Sequence, residues 1–122
     1  MTIRGVRGAT TVTEDKPDLI LAATQEMMET ILMNNSGLRT EDIASVLFTT
    51  TEDLVSVYPA VAARNMGWRN VPMMCAREIP VTGSLPRCIR VLIHWNTDRE
   101  QSAITHVYLR EAASLRPDLA MS

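Results

Sequence analysis

The chain predicts an α+β fold: a five-stranded mixed sheet with one long and one short helix. Three observations carry that prediction. Five short runs rich in β-branched and apolar residues are separated by turn residues. One longer segment, "PDLILAATQEMMETILMN", repeats its apolar residues at helical spacing. At 122 residues, with no internal repeat, low-complexity run or linker, the chain fits one domain over residues 1–122.

Each element has its own signal. "TIRGVRGATTV" alternates and is β-branched, which predicts a strand over residues 2–11; Gly5 and Gly8 would let a neighbour approach its backbone. Pro17 suits a first helical position, with Asp15 or Lys16 as the cap before it. Leu19, Ile20, Ala23, Met27, Met28, Ile31 and Leu32 then form one helical face, and Asn34, Asn35 and Gly37 end it. "TEDI" at 40–43 reads as a short capped turn, and "ASVLFTTT" at 44–51 as a buried strand. Pro59 and Gly67 bracket a short helix near 59–66. "VPMMCARE" at 71–78 and "RCIRVLIHWNT" at 87–97 are strands, joined by the turn "VTGSLP". "DREQSAI" is turn-like, "THVYLRE" at 105–111 is a last strand, and "AASLRPDL" is a loose helical turn and tail closed by Pro117. Such a sheet with one long helix leaves a face or an edge uncovered, so burial against another subunit is expected.

Composition removes several function classes. Hydrophobic residues make up 46% of the chain, too many for a disordered polymer. A net charge of -2 gives no reason to expect nucleic acid or an anionic membrane as partner. No window approaches the roughly 18 apolar residues of a membrane span, and the N-terminus lacks the apolar core of a signal peptide. A cytoplasmic protein is expected. Cys75 and Cys88 form no metal-type pair, and His94 and His106 add no spaced ligand set, so two free thiols and no metal are expected. The chain has no GxSxG, HExxH or glycine-rich phosphate loop.

What remains is a set of charged and polar residues inside strands. In "CIRVLIHWN", Ile89, Val91 and Ile93 share one side and Arg90 faces the other. Arg7 lies in the first strand, Glu78 ends the third, and Tyr108 lies in the last. Arg64 sits in the short helix and Arg116 in the tail. A single strand arginine usually snorkels or pairs at an edge, and that reading holds for Arg4, Arg77 and Arg87. Several arginines on neighbouring strands cost desolvation unless an anion neutralises them, which points to a small dianion in a half-buried cleft. Arginine is also the side chain that grips carboxylates bidentately.

Three blocks together are more specific than any one of them. "IRGVRGATTV", "VPMMCAREIPVTGSLPRCIRV" and "HVYLREAASLRPDL", with "TEDLVSVYPAVAARNMGW" between, resemble the AroH class of monofunctional chorismate mutase across nearly the whole chain. The resemblance implies an enzyme of aromatic amino-acid biosynthesis that rearranges chorismate to prephenate in a unimolecular [3,3] shift, with no cofactor or metal. It implies a homotrimer with a pseudo-barrel core and active sites between subunits. Carried over by motif, Arg90 is the cation at the ether oxygen, and Arg7 with Tyr108 holds the enolpyruvyl carboxylate. Glu78 with Cys75 receives the ring hydroxyl, and Met73, Met74 and Cys75 line the pocket. Tyr58, Ala60 and Arg64 form the neighbouring subunit's wall, and Leu115 and Arg116 a tail segment over bound ligand. Three positions depart from the pattern. Val61 stands where some members carry a basic residue, Tyr58 where Phe is expected, and Met74 where a smaller polar residue occurs, so position 74 is expected to act through its backbone. A trimeric imine deaminase and a non-catalytic carboxylate-binding module are the alternatives; the first lacks its signatures here, and turnover separates the second.

Overall fold

The computed structural model describes residues 2–118 and contains the five strands and two helices expected. Strand β1 spans Ile3–Thr11, helix α1 Pro17–Asn34, β2 Ile43–Thr50, α2 Ala60–Asn65, β3 Met73–Arg77, β4 Cys88–Asn96 and β5 Val107–Tyr108. The sheet order is β3-β2-β4-β1-β5. Strand β4 runs antiparallel to both neighbours, whereas β1–β5 and β2–β3 are parallel, so the sheet is mixed.

Helix α1 covers one face. Its buried residues, Ile20, Ala23, Thr24, Met27, Met28 and Ile31, recur at three- and four-residue intervals. The one polar member, Thr24, donates its hydroxyl to the Ile20 carbonyl at 2.7 Å, so its burial leaves nothing unsatisfied. Pro17 occupies the first turn, where its missing N–H costs nothing. Lys16 holds the cap position without a side-chain cap bond. Asp15 instead accepts the amides of Val55 and Ser56, both at 3.1 Å, and pins the loop that leads to α2.

Beneath the helix, cross-strand register aligns Val6, Ile93 and Val46 in one row and Gly8, Val91 and Phe48 in the next. These residues join the α1 side chains, Trp68 and Trp95 in one core. Gly8 is what lets the helix sit so close. A Cβ there would lie 2.8 Å from Ile31 Cδ1, 3.0 Å from Val91 Cγ1 and 3.2 Å from Met27 Cγ.

Two strands are shorter than the sequence suggests. Pro72 has no N–H to give the ladder, so β3 opens at Met73 rather than at residue 71. The last strand, expected over 105–111, contracts to two residues. Arg110 adopts φ of 53°, which turns the chain out of extended geometry and into a 3-10 turn over Arg110–Leu115. The expected tail runs on to Leu119, which lies outside the described residues.

Glycine 8 gives a direct check on this packing. Gly8→Ala is expected to destabilise the protein by about 1–3 kcal/mol through overpacking between β1 and α1. Denaturant unfolding measures it, and unchanged stability would show that the interface yields freely.

Candidate active site

The face of the sheet opposite α1 carries the strand charges. Alternation along β4 puts Cys88, Arg90, Leu92 and His94 on it. Register places Ala9 and Thr49 on either side of Arg90, and Leu47 and Arg7 on either side of Leu92. Arg90 therefore sits on the middle strand of five, half-buried among neighbours fixed by the ladder.

Glu78 meets it there. The Glu78 amide donates to the Thr50 carbonyl at 3.0 Å, one residue beyond the end of β3. Its carboxylate accepts Arg90 Nε at 2.8 Å and Nη2 at 2.7 Å, a bidentate pair that fixes the plane of the guanidinium. The Thr49 hydroxyl donates to the same carboxylate. Among the described residues no partner holds Arg90 Nη1. Arg90, Thr49 and Arg7 together hold the Glu78 carboxyl below its ordinary value of 4.5, with Arg90 the largest cause. Glu78 in turn pushes the Arg90 guanidinium above its ordinary value. Both shifts keep the pair ionised.

Arg7 and Tyr108 lie beside this pair. Tyr108 pairs in register with Ala9 on β1, and the Arg7 guanidinium carbon stands 5.7 Å from the Tyr108 ring centroid. Arg7 has no ion-pair partner among the described residues. Tyr108 is 1% exposed, and its hydroxyl is buried with no hydrogen-bond partner. A buried phenol left unpaired is uncommon, and it lies beside the Arg7 guanidinium. Arg7, Glu78 and Arg90 line a small cleft of about 180 Å³. Glu78, Arg90, Cys88 and Leu115 line a larger one of about 590 Å³ that opens beside it.

The remaining sequence-predicted residues lie elsewhere in the chain. Tyr58, Cys75 and Arg77 line a separate groove of about 470 Å³, and Tyr58 is 69% exposed. Cys75 aligns with Phe48, so its side chain faces the α1 side of the sheet and packs on the core. The odd-to-even step from 75 to 78 puts the Cys75 and Glu78 side chains on opposite faces, so within one chain only the backbone of residue 75 is left to share a ligand with Glu78. Ala60 is buried in the core at 3% exposure. Met73 packs on the core, and Met74 is exposed on the open face beside Leu47. Arg64 is exposed on α2, and Arg116 pairs with Asp118 at 2.9 Å.

Comparison with known proteins decides the family. The model of "Chorismate mutase type I" matches residues 3–119. The chain belongs to the chorismate mutase type I family. It is 56% identical over 117 residues to the chorismate mutase AroH of Thermus thermophilus, covering 96% of each chain. It is 45% identical over 123 residues to the chorismate mutase AroH of Bacillus subtilis, covering 100% of this chain and 96% of that one. A solved chorismate mutase from Clostridium thermocellum superposes with a TM-score of 0.87 at 48% identity, covering 90% of this chain and 97% of that one. Chorismate mutase activity follows from these relationships.

A mutase needs no nucleophile, and the thiol nearest the charges is not one. Burial pushes Cys88 up to about 11, so it stays protonated at neutral pH. Among the described residues no group of three or more His, Cys, Asp or Glu is arranged to hold a metal ion. Two residues that contact this charged set have no signal of their own in the sequence. Thr49 is visible only through the β2–β4 register, and His106 only through its contact with the Arg7 amide.

The Glu78–Arg90 pair makes a signed pH prediction. The folded carboxyl titrates below 4.5, so its contribution is complete above about 4.5 and is lost as pH falls through the folded value. Glu78→Gln should cost about 1 kcal/mol at neutral pH, a figure reduced by partial solvent screening. The difference from the parent should shrink on acidification below 4.5. A difference that stays constant from neutral pH to strong acid would contradict the pairing.

Proposed function

We propose that Arg90, held by Glu78, is the cation that accelerates the chorismate-to-prephenate rearrangement in this chain. The observation that carries the proposal is the bidentate pair itself, which occupies Nε and Nη2 and leaves Nη1 unpartnered. Chorismate carries two carboxylates, a ring hydroxyl and an ether oxygen whose bond to the ring breaks. Negative charge grows on that ether oxygen in the transition state. A donor already fixed in place stabilises the transition state more than the ground state, without reorganising as the charge appears. Nη1 is the donor that the pairing leaves for this.

Arg7 and Tyr108 supply the orientation. An unpaired guanidinium beside a buried, unsatisfied phenol suits one carboxylate of the side chain, which must fold over the ring before bonds can change. Glu78 keeps Thr49 and Arg90 in place and offers its carboxylate to the ring hydroxyl. Leu115, beside Glu78 and Arg90, closes the larger cleft, and Arg116 follows it in the tail.

The site is completed by a second copy, in a homotrimer. Three features support this. On the charged face Leu85 and Ala112 cover only the end near Cys88, while Arg7, Arg90 and Leu92 stay partly exposed; among the described residues β3 presents an unpaired outer edge, and Tyr58 and Met74 are large and exposed. The groove of Tyr58, Cys75 and Arg77 then serves as the facing wall, with Ala60 behind it and Arg64 near the entrance. Val61 in place of a basic residue leaves Arg64 and Arg116 to attract the dianion. No described helix is long and apolar enough to cross a membrane. We place the enzyme in the cytoplasm as one step of aromatic amino-acid biosynthesis, acting without metal or cofactor.

Purified protein should consume chorismate in metal-free buffer, seen as loss of chorismate absorbance and acid conversion of the product to phenylpyruvate. Light scattering should give about three times the 13.6 kDa chain mass. Prephenate binding without turnover would remove the catalytic reading, and a fully active monomer would remove the shared site.

A further inference from the structure

His106 stands immediately before β5 and does what a strand carbonyl would otherwise do. The β1–β5 ladder pairs Gly8 with Val107 and Ala9 with Tyr108, and the Leu109 amide donates to the Ala9 carbonyl at 2.9 Å. One step earlier the ladder stops. The Arg7 amide donates instead to His106 Nδ1, at 3.0 Å. A ring nitrogen that accepts must be unprotonated, so the proton of this imidazole lies on Nε2.

The backbone that leads into His106 is held separately. Buried Asn35, at the end of α1, donates to the Thr105 carbonyl at 2.9 Å and accepts the Thr105 amide at 2.9 Å. The chain thus enters β5 through two consecutive fixed residues. Thr105 is tied to the helix and His106 to the backbone of Arg7. The next outward residue on the site face is Tyr108, over whose ring the Arg7 guanidinium lies.

We infer that His106 is a positioning residue for Arg7, and that protonating its imidazole releases the Arg7 backbone and weakens carboxylate binding. The inference rests on the reading of Arg7 as a carboxylate anchor. Imidazolium carries N–H at both nitrogens and cannot accept the Arg7 amide. The charged groups that act on it are cations, Arg7 from β1 and Arg116 from the tail, and among the described residues no carboxylate opposes them. Glu26, on α1, is engaged by Arg110. Burial first, then these two cations, hold the imidazole below its ordinary value of 6.5. The neutral acceptor form therefore prevails at neutral pH and gives way as pH falls below 6.5.

The test compares the parent, His106→Asn and His106→Leu in steady-state kinetics from about pH 5 to pH 8, above the range where Glu78 titrates. Asparagine can place a non-titrating oxygen near the position of Nδ1. It should keep kcat/KM within about threefold at neutral pH and abolish the acid loss that the parent shows. Leucine removes the acceptor and should raise KM by roughly tenfold, with a smaller change in kcat. Separately, the Arg7 amide resonance should titrate with the His106 ring in the parent and not in the Asn variant. That readout needs no turnover, so it is independent of the assignment of Arg7 to substrate. An acid limb unchanged in His106→Asn, or an Arg7 amide indifferent to the imidazole, would overturn the inference. Should the Leu variant fail to fold, the Asn variant and the Arg7 resonance decide.

Discussion

A half-buried arginine on the middle strand of a five-stranded sheet is stabilised and oriented by the carboxylate that reaches it. Removing a guanidinium from water costs several kcal/mol unless an anion compensates. Glu78 supplies that anion from two strands away, across β2. The geometry depends on where β3 stops. Its ladder ends at Arg77, and the next amide ties to Thr50, which brings Glu78 over Thr49 and onto Arg90. The pair is thus a product of strand length and register. It keeps both groups charged and the guanidinium plane fixed, so the remaining donor is ready before substrate arrives.

The two faces of the sheet divide the work along the same strands. On β1, Gly8 admits the helix on one side while Arg7 stays half-open on the other, with Ala9 buried beside it under Ala112. On β4, Ile89, Val91 and Ile93 are buried under the helix while Arg90, Leu92 and His94 stay half-open. The tightly packed face holds the strands still, and the charged face inherits that rigidity. Leu92, Leu47 and Met74 form an apolar row beside Arg7 on the open face, which one chain alone leaves partly in water. A second copy would dry it and raise the worth of every charge there.

Strand and helix positions were legible because alternation and helical spacing report burial directly. The outward direction of Arg90 followed from the same parity, and so did the open sheet face. Pairing across strands was not legible. Nothing in "FTTT" distinguishes Thr49 as the residue beside Arg90, because register is set by tertiary contact. Cys75 and Glu78 are close in sequence, yet the pleat sends them to opposite faces. The last strand looked long because "THVYLRE" alternates well. The left-handed backbone at Arg110 cuts it short, and no residue type there announces that conformation.

The charge on Arg90 is the central requirement of the proposed mechanism. Replacing Arg90 by citrulline keeps the shape and most of the hydrogen-bonding pattern of the side chain while removing its charge. The measurement is kcat for chorismate, set beside the dissociation constant for prephenate in the same folded assembly. The kcat should fall by at least ~10²-fold with a much smaller change in prephenate binding. A citrulline enzyme with kcat unchanged would contradict this mechanism, because the ether oxygen would then need no fixed cation.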